Sequence, residues 1–515
     1  MNRTQLIAFL GLFISLYTQG QSIKNYKKNY DIEIDKVLNY FEGEQDPLKK
    51  KAALFLLKNL PNYGSWILKL KDASGNESLL NEFEFENWDE AEKYYNEQLS
   101  CNSELVQKRI NDIAKITAED LISTIDHSFR VWKNSPWGAT YNFNTFCEYI
   151  LPYRSNEEPF EKGWKQKYYN QYKRVIEGDR NAVDACSSLV RAMGKKLTFL
   201  FERPFPQPIL SLDQIHFRAQ GNCTDLANAV LMVGRSLGLA VTYDYTPYFV
   251  ASSNSHSWNT IINKDGVPVP FNGTGALPYV FNPNYKKLGK VLRLTYSVQE
   301  ESLARKIPHN DIPSSQLTNV NTIDVTQEYV QTAKVTYTFS SPLKKNIGYL
   351  AVFNKGKWRA LWWGDSNGNK KVTFEKMGRD VVYLPSATRD TIVKKQKFAI
   401  LQPEKYPLYI NKKGEPHILK PNFKSVFNCS LSRINEDVGN EDGNHNSLTL
   451  EEGKKYHLYY WLDKWMLFGT QTVKNNQLDY QKLPENALFK LLPEKADDFE
   501  RIFMLDHKNC KILWY

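Results

Sequence analysis

The spacing of apolar residues predicts a helical N-terminal third. From about residue 30 to residue 200, apolar positions recur at steps of three and four, the period of an amphipathic helix. Asp46 followed by Pro47 is typical of a helix start. We expect a helical N-terminal region over residues 21–140, including one long helix over Glu104–Trp132, and further helices up to Lys195.

The period changes to two after Gly238. The segments LAVTYDY, SWNTIIN and VPVPF alternate side chains as strands do, and the turn Lys264-Asp265-Gly266 joins the last two segments into a hairpin. A polar linker follows at His309–Val325. Helices followed by this small sheet predict an α+β core over residues 141–318.

Short alternating segments fill the C-terminal part of the chain. AKVTYTF, IGYLAVFN, KWRALWW and KKVTFEK are separated by turns, and a second series of this kind begins near Phe423. We predict two β-sandwich-like domains, over residues 319–422 and 423–515. The whole chain is then a multidomain α+β protein.

Length and composition agree with several packed domains. A chain of 515 residues is too long for one core, and 42% hydrophobic with 24% charged residues is typical of folded protein. The formal net charge of +10 is spread along the chain rather than gathered in one patch. We therefore expect no nucleic-acid partner.

The first 20 residues have the layout of a secretory signal. Arg3 precedes an apolar run from Leu6 to Tyr17, and small residues follow at Thr18 and Gly20. This run is too short to cross a bilayer, and no later run is long enough, so we predict no transmembrane segment. We expect an exported protein that is periplasmic, bound to the cell surface or secreted.

Cysteine and histidine are sparse. The six cysteines are scattered without a CxxC pair, which does not make a disulfide framework in so long a chain. The eight histidines lie far apart, with no HxxxH pair. We expect no metal site and no cofactor.

Cys223 is the candidate nucleophile. It lies in GNCTDLANAVLMVGRSLG, at the start of a predicted helix with one apolar face. A helix start provides unpaired N–H donors and the positive end of the helix dipole, which favour a thiolate and can receive an oxyanion. Gln220 is a candidate side-chain donor to that oxyanion. A buried, apolar cysteine is the alternative interpretation.

A proton carrier and an orienting group follow on the predicted hairpin. His256 precedes the strand SWNTIIN, and Asn272 follows the strand VPVPF. Counted outward from the turn, both residues lie at the same end of the hairpin, so their side chains can meet across it. Cysteine, histidine and asparagine so arranged are typical of a thiol acyl-transfer site. Trp258 is expected beside this site or in the core.

These residues resemble a known superfamily. Gly221–Asp225, His256–Trp258 and the hairpin up to Asn272 look like the core of the transglutaminase-like superfamily, over about residues 195–297. The resemblance implies a papain-like fold, with Cys223 as nucleophile, His256 as general base and acid, and Asn272 as the orienting residue. Most members have aspartate at the third position, whereas papain-like enzymes have asparagine.

Two functions follow from this interpretation. The first is an exported enzyme that attacks amide bonds of a protein, peptide or glycopeptide, as a peptidase, an amidase or a protein-glutamine transferase. The second is a catalytically weak or inactive scaffold whose β domains bind a glycan or a protein. Tryptophans of the β region either form stacking platforms for sugars or pack in the core. They are Trp358, Trp362, Trp363, Trp461 and Trp465.

Overall fold

A computed structural model describes residues 31, 33–101, 103–203, 208–250, 254–393, 395–432, 450–494 and 501–515. The predicted signal at residues 1–20 lies outside these ranges. The chain folds into two units. The first contains the described residues up to Asp244, together with Ser257–Phe281 and Leu294–Val298. The second contains Tyr245–His256, Asn282–Arg293 and Gln299–Tyr515.

Most of the α-helices that the structure describes lie in the first unit, where residues 33–40 are also helical. Several begin at a polar residue whose side chain accepts a hydrogen bond from a first-turn N–H group, at Asp46, Asn87, Thr117, Asn142, Asn181 and Ser211. The helices are α1 (Pro47–Asn59), α2 (Trp88–Ser100), α3 (Ala118–Asn134), α4 (Phe143–Tyr149), α5 (Trp164–Tyr172), α6 (Ala182–Gly194), α7 (Leu212–Arg218) and α8 (Cys223–Ser236).

A three-stranded antiparallel sheet interrupts the region that was predicted to be helical. β1 (Gly64–Lys71) lies between β2 (Glu77–Leu79) and β3 (Glu104–Asn111). The prediction of one helix over Glu104–Trp132 is therefore wrong, and residues 21–140 are not helical throughout. The side chains of β3 are exposed or half-buried, so this edge strand lacks the alternation of apolar residues that reveals a strand in a sequence.

A buried ion pair connects this sheet to the rest of the first unit. Arg154 Nε lies 2.6 Å from Asp112 Oδ2, and both side chains are 1% exposed. Arg154 also donates to the carbonyl oxygen of Gly64 and to the hydroxyl of Ser65, at the start of β1. The charges are thus paired and hydrogen-bonded, the arrangement that a buried ion pair requires.

The predicted hairpin is confirmed. β7 (His256–Ile262) pairs antiparallel with β8 (Pro268–Phe271), and β6 (Val241–Thr246) lies beside β7. β4 (Thr198–Phe199) and β5 (Gln220–Gly221) form a short parallel ladder, and β5 comes immediately before α8 in the sequence.

The side-chain amide of Asn259 joins α8 to the strands. It donates to the carbonyl oxygen of Ala227 in α8, at 2.9 Å, and to that of Thr242 in β6, at 3.0 Å. Asn259 is fully buried. A buried polar side chain that bridges two elements in this way specifies how they pack.

Strands dominate the chain after β8, and from β11 onward they belong to the second unit. The single α-helix described in this part is a short one, α9 (Leu303–Lys306), beside several 3-10 turns. The strands are β9 (Leu292–Leu294), β10 (Thr322–Asp324), β11 (Thr332–Thr338), β12 (Ile347–Asn354), β13 (Lys357–Asp365), β14 (Lys371–Gly378), β15 (Val381–Val393), β16 (Gln396–Pro403), β17 (Leu408–Ile410), β18 (Pro416–Ile418), β19 (Asn422–Ser432), β20 (Lys455–Trp461), β21 (Trp465–Thr472), β22 (Gln477–Glu485), β23 (Phe489–Pro493), β24 (Ile502–Leu505) and β25 (Ile512–Trp514).

Each half of this β region combines a two-stranded ladder with a larger sheet. The ladder β11–β14 and the sheet β13-β12-β15-β17-β18 form the first half, and the ladder β19–β22 and the sheet β21-β20-β23-β24-β25 form the second. The prediction of a multidomain α+β protein is confirmed at this coarse level. The boundaries at residues 318 and 422 stay predictions.

The tryptophans of the β region take part in packing. The Trp461 ring lies edge-on to the rings of Trp358 and Trp465, with centroids 5.5 and 5.2 Å apart. Trp461 belongs to an apolar cluster that also includes Leu350 and Tyr383. These three indoles therefore favour the core interpretation over that of a stacking platform. Across the residues that the structure describes, no helix is both long and apolar enough to span a membrane.

We expect Asp112→Asn to lower the free energy of unfolding by about 3–5 kcal/mol, because the Arg154 guanidinium would remain buried without its counter-charge. Urea unfolding measures this loss. Glu104→Gln is the matched control, since it removes the exposed Lys71–Glu104 pair and should have a much smaller effect. Equal losses of unfolding free energy in the two variants would show that burial does not make the Arg154–Asp112 pair more important for stability than an exposed pair.

Candidate active site

Reciprocal hydrogen bonds define the start of α8. The side chain of Asn222 accepts from the backbone N–H of Asp225 at 3.2 Å, and the Asp225 carboxylate accepts from the N–H of Asn222 at 3.0 Å. Cys223 is the first residue of the helix. Its position therefore depends directly on these two bonds.

Arg203 completes this arrangement and was not identified from the sequence. Its Nε lies 2.8 Å from Oδ2 of Asp225, whose side chain is fully buried. Burial raises the pKa of Asp225, while Arg203 and the N–H of Asn222 act in the opposite direction. No sequence spacing links Arg203 to the helix start, because the pair is formed by tertiary folding.

Gly221 allows the close approach of Asp225. A Cβ atom at Gly221 would lie 2.6 Å from the Cβ atom of Asp225, a separation that side chains do not adopt. The glycine of the GNC sequence is thus explained by space. Its neighbour Gln220 is partly exposed and pairs through its backbone with Thr198, and its role as an oxyanion donor stays a prediction.

The Cys223 sulfur lies at the end of the hairpin. The backbone N–H groups of Ser257 and Thr224 and the Thr224 hydroxyl lie near this sulfur and act to lower its pKa. The last paired residue of β8 is Phe271, opposite Asn259, so Ser257 lies beyond the pairing and its N–H is not used by β8. Tyr243 donates to the Ser257 hydroxyl at 2.7 Å and so steadies this segment.

Burial raises the pKa of the Cys223 thiol above its ordinary value. The three hydrogen-bond donors oppose this effect without cancelling it, and the nearby Asp225 carboxylate adds to it. The expectation that the helix start favours a thiolate is therefore corrected, because desolvation of the charged sulfur outweighs the donors. Cys223 nevertheless remains partly exposed.

His256 is the residue before Ser257. Its side chain is 8% exposed, and its ring stacks on Phe249 with centroids 6.0 Å apart. The N–H group of Ser257, which lies near the Cys223 sulfur, belongs to the peptide bond that follows His256. The sequence alone indicates His256 as a candidate site residue. It does not reveal that its neighbour Ser257 lies near Cys223.

Asn272 begins a tight loop after β8. Its N–H donates to the carbonyl oxygen of Ala276 at 3.0 Å, and its own carbonyl oxygen accepts from Gly275 at 2.7 Å. Continued by one residue, the β7–β8 register places Asn272 opposite Trp258. The role of Asn272 as the orienting residue stays a prediction.

The loop after β8 also packs on α8. A Cβ atom at Gly273 would lie 3.3 Å from the Cβ atom of Leu226, in the first turn of the helix. Contacts at Ser257 and at Gly273 therefore bring both strands of the hairpin to the start of α8. Trp258 is fully buried, with its ring 6.1 Å from that of Phe281, which favours the core interpretation for this residue.

Within the described ranges, no group of three or more histidine, cysteine, aspartate or glutamate side chains is arranged to hold a metal ion.

No model of a protein family and no curated protein matches the chain. A Cytophaga hutchinsonii structure assigned as a cysteine protease matches at a TM-score of 0.21 and 13% identity, covering 25% of this chain and 42% of that one. The transglutaminase of red sea bream matches at a TM-score of 0.18 and 9% identity, covering 89% of this chain and 78% of that one. The chain thus spans less than half of the Cytophaga protein. Both likenesses are weak, so the interpretation of the site rests on its own contacts.

A half-buried acid, Glu161, supports α7, the helix that leads into β5 and α8. Glu161 accepts hydrogen bonds from the Ser211 hydroxyl and, at 3.1 Å, from the N–H of Asp213 at the start of α7. Burial, followed by the nearby Asp213 carboxylate, raises the pKa of Glu161 to about 7. Lys167 and Tyr168 each donate to that Asp213 carboxylate.

Because the pKa of Glu161 is higher in the folded than in the unfolded chain, the folded state binds its proton more tightly. The free energy of unfolding should therefore fall as the pH rises from about 4.5 to about 7, by up to ~3 kcal/mol. Urea unfolding across this range should show the slope in the parent and a flatter one in Glu161→Gln. Glu86→Gln, at an exposed acid, is the control. An unchanged slope in Glu161→Gln would assign the pH dependence to other groups.

Proposed function

We propose that the chain is a thiol acyl-transfer enzyme of the papain-like or transglutaminase-like kind, acting on amide bonds. The observation that carries this proposal is the proximity of the Ser257 N–H to the Cys223 sulfur, which brings the residue next to His256 close to a thiol at a helix start. A cysteine or a histidine with only a structural role would not need a thiol at a helix start beside the residue that follows a histidine.

The raised pKa of Cys223 determines how the thiol would react. A neutral thiol is a weak nucleophile, so its proton must pass to His256 while the sulfur bonds to the amide carbon. The first N–H groups of α8 would stabilise the developing oxyanion. His256 would then return the proton to the leaving amine as the C–N bond breaks, which leaves an acyl group on Cys223.

The acceptor of the acyl group decides the reaction type. Attack by water releases an acid, as in a peptidase or an amidase, and attack by an amine forms a new amide, as in a protein-glutamine transferase. Asn272 would accept a hydrogen bond from the imidazole and hold its tautomer and orientation. We further propose that the protein is exported and that its β domains contact a glycan or a protein partner.

Exposed aromatic side chains next to the nucleophile indicate a peptide substrate. Phe199 pairs with Gly221, two residues before Cys223, and the side chains of Phe199 and Phe201 are 47% and 54% exposed. The N–H groups of Thr198 and Leu200 donate to the carbonyl oxygens of Ala219 and Gly221. By alternation, the backbone groups of Phe199 therefore face the opposite edge. An extended peptide could pair with that edge and pack apolar side chains on the two rings.

We expect Cys223→Ala to abolish turnover of peptide amides, and His256→Ala to lower kcat/KM by about 10²–10⁴. Asn272→Ala should lower it less, and Asn272→Asp should retain activity, because an aspartate can orient the ring equally well. Mass spectrometry of the products and ammonia release, each with and without methylamine, distinguish hydrolysis from transfer.

Iodoacetamide labelling gives the control for these variants. The rate at Cys223 should keep rising above pH 9, because the thiol pKa is raised, and His256→Ala should slow it at pH 7. Cys101→Ala, at an exposed cysteine, should change neither labelling of Cys223 nor turnover. Equal labelling of Cys223 with and without His256 would mean that the imidazole does not activate the thiol, and would favour the scaffold function.

For the double variant Phe199→Ser/Phe201→Ser, we expect a loss of about 10- to 100-fold in kcat/KM for peptides with apolar side chains, since an aromatic contact surface is removed. Labelling of Cys223 by iodoacetamide should stay at the parent rate. Leu79→Ser, at an exposed apolar residue of β2, is the matched control. An undiminished kcat/KM in the double variant would place the substrate elsewhere and leave the assignment of the nucleophile intact.

A further inference from the structure

Two cysteines of the second unit, far apart in the sequence, are brought together by the fold. Cys429 is a buried residue of β19, and Cys510 is a partly exposed residue in the turn between β24 and β25. The Cys510 sulfur lies 3.6 Å from the carbonyl oxygen of Asn428, the neighbour of Cys429. Cys510 also packs against the apolar cluster that contains Cys429.

The turn that carries Cys510 is fixed on β19 by further contacts. The His507 ring meets the Phe427 ring edge-on, with centroids 6.5 Å apart. Within the turn, the N–H of Cys510 donates to the carbonyl oxygen of Asp506 at 2.8 Å. Cys510 has a φ of 57°, in the left-handed region. The thiol is therefore held over β19 by a closed turn rather than by chance proximity.

The Cys510 thiol is close enough to Cys429 to affect its pKa. Burial, as the larger effect, and the neighbouring Cys510 thiol both raise the pKa of Cys429. A disulfide forms most readily between thiols that the fold already holds close together, because the backbone then need not move.

We propose that Cys429 and Cys510 form a disulfide when the folded protein meets an oxidising pool of small-molecule disulfides. Cys510, the more exposed thiol, would lose its proton and attack one sulfur of an oxidant such as oxidised glutathione, releasing one glutathione thiol. Cys429 would then lose its proton and displace the second glutathione from Cys510. In sum, two protein thiols are oxidised to one disulfide, and one glutathione disulfide is reduced to two thiols.

The bridge would attach the C-terminal hairpin to β19. The hairpin β24–β25 ends the sheet order β21-β20-β23-β24-β25, and Trp514 of β25 is part of the same apolar cluster as Cys429. A disulfide at this point would also restrict the unfolded chain. The inference concerns the second unit alone and is independent of any activity of Cys223.

The test uses the full chain equilibrated with oxidised or with reduced glutathione, followed by iodoacetamide and peptide mass mapping. We expect a linked peptide that contains Cys429 and Cys510 in the oxidised sample, and alkylation of both cysteines reduced at least tenfold relative to Cys101. The Tm should be higher in the oxidised sample. Full alkylation of both cysteines, or glutathione retained on Cys510 without the linked peptide, would overturn the proposal.

Two variants keep this test decisive. Cys510→Ser removes one partner at a partly exposed site and should abolish the dependence of Tm on the redox buffer. Cys101→Ser, at an exposed cysteine, should leave that dependence unchanged. A redox-dependent Tm that persists in Cys510→Ser would assign the effect to other thiols and contradict the bridge.

Discussion

The buried carboxylate of Asp225 is the group on which the candidate site depends. It accepts the N–H of Asn222, pairs with Arg203 and approaches the backbone at Gly221 more closely than any residue but glycine allows. An uncompensated carboxylate in this position would be costly, since burial alone raises its pKa. The partners that offset this cost also determine where α8 begins. The position of the Cys223 thiol therefore follows from the electrostatics of a residue that does not itself react.

Local patterns made part of this arrangement predictable from the sequence. Asparagine before a helical period, with aspartate three residues later, indicates a helix start, and the KDG turn between two alternating segments indicates a hairpin. Each of these signals is local, because the residues that carry it lie within a few positions of one another. The sequence therefore predicted the start of α8, the β7–β8 pair and the end of the hairpin at which His256 and Asn272 lie.

Contacts between distant segments were not predictable in the same way. Nothing in the sequence connects Arg203 with Asp225, or Cys510 with Cys429, because each pair meets only after folding. Strand β3 was missed for a related reason. Its side chains show no strand pattern, and it is stabilised by its pairing with β1. The pKa of Cys223 belongs to this group as well, since the helix start was visible in the sequence and the burial was not.

In the proposed mechanism, the raised pKa of Cys223 explains why asparagine can serve as the orienting residue at position 272. A resting thiolate and imidazolium would form a charged pair, which a carboxylate at the third position stabilises. Burial at the thiol favours the neutral form instead, so the imidazolium would exist only while the proton is in transit. A neutral amide can orient the neutral ring and adds no charge to the site. Asparagine is then consistent with a site that keeps its resting groups uncharged and moves the proton during the attack.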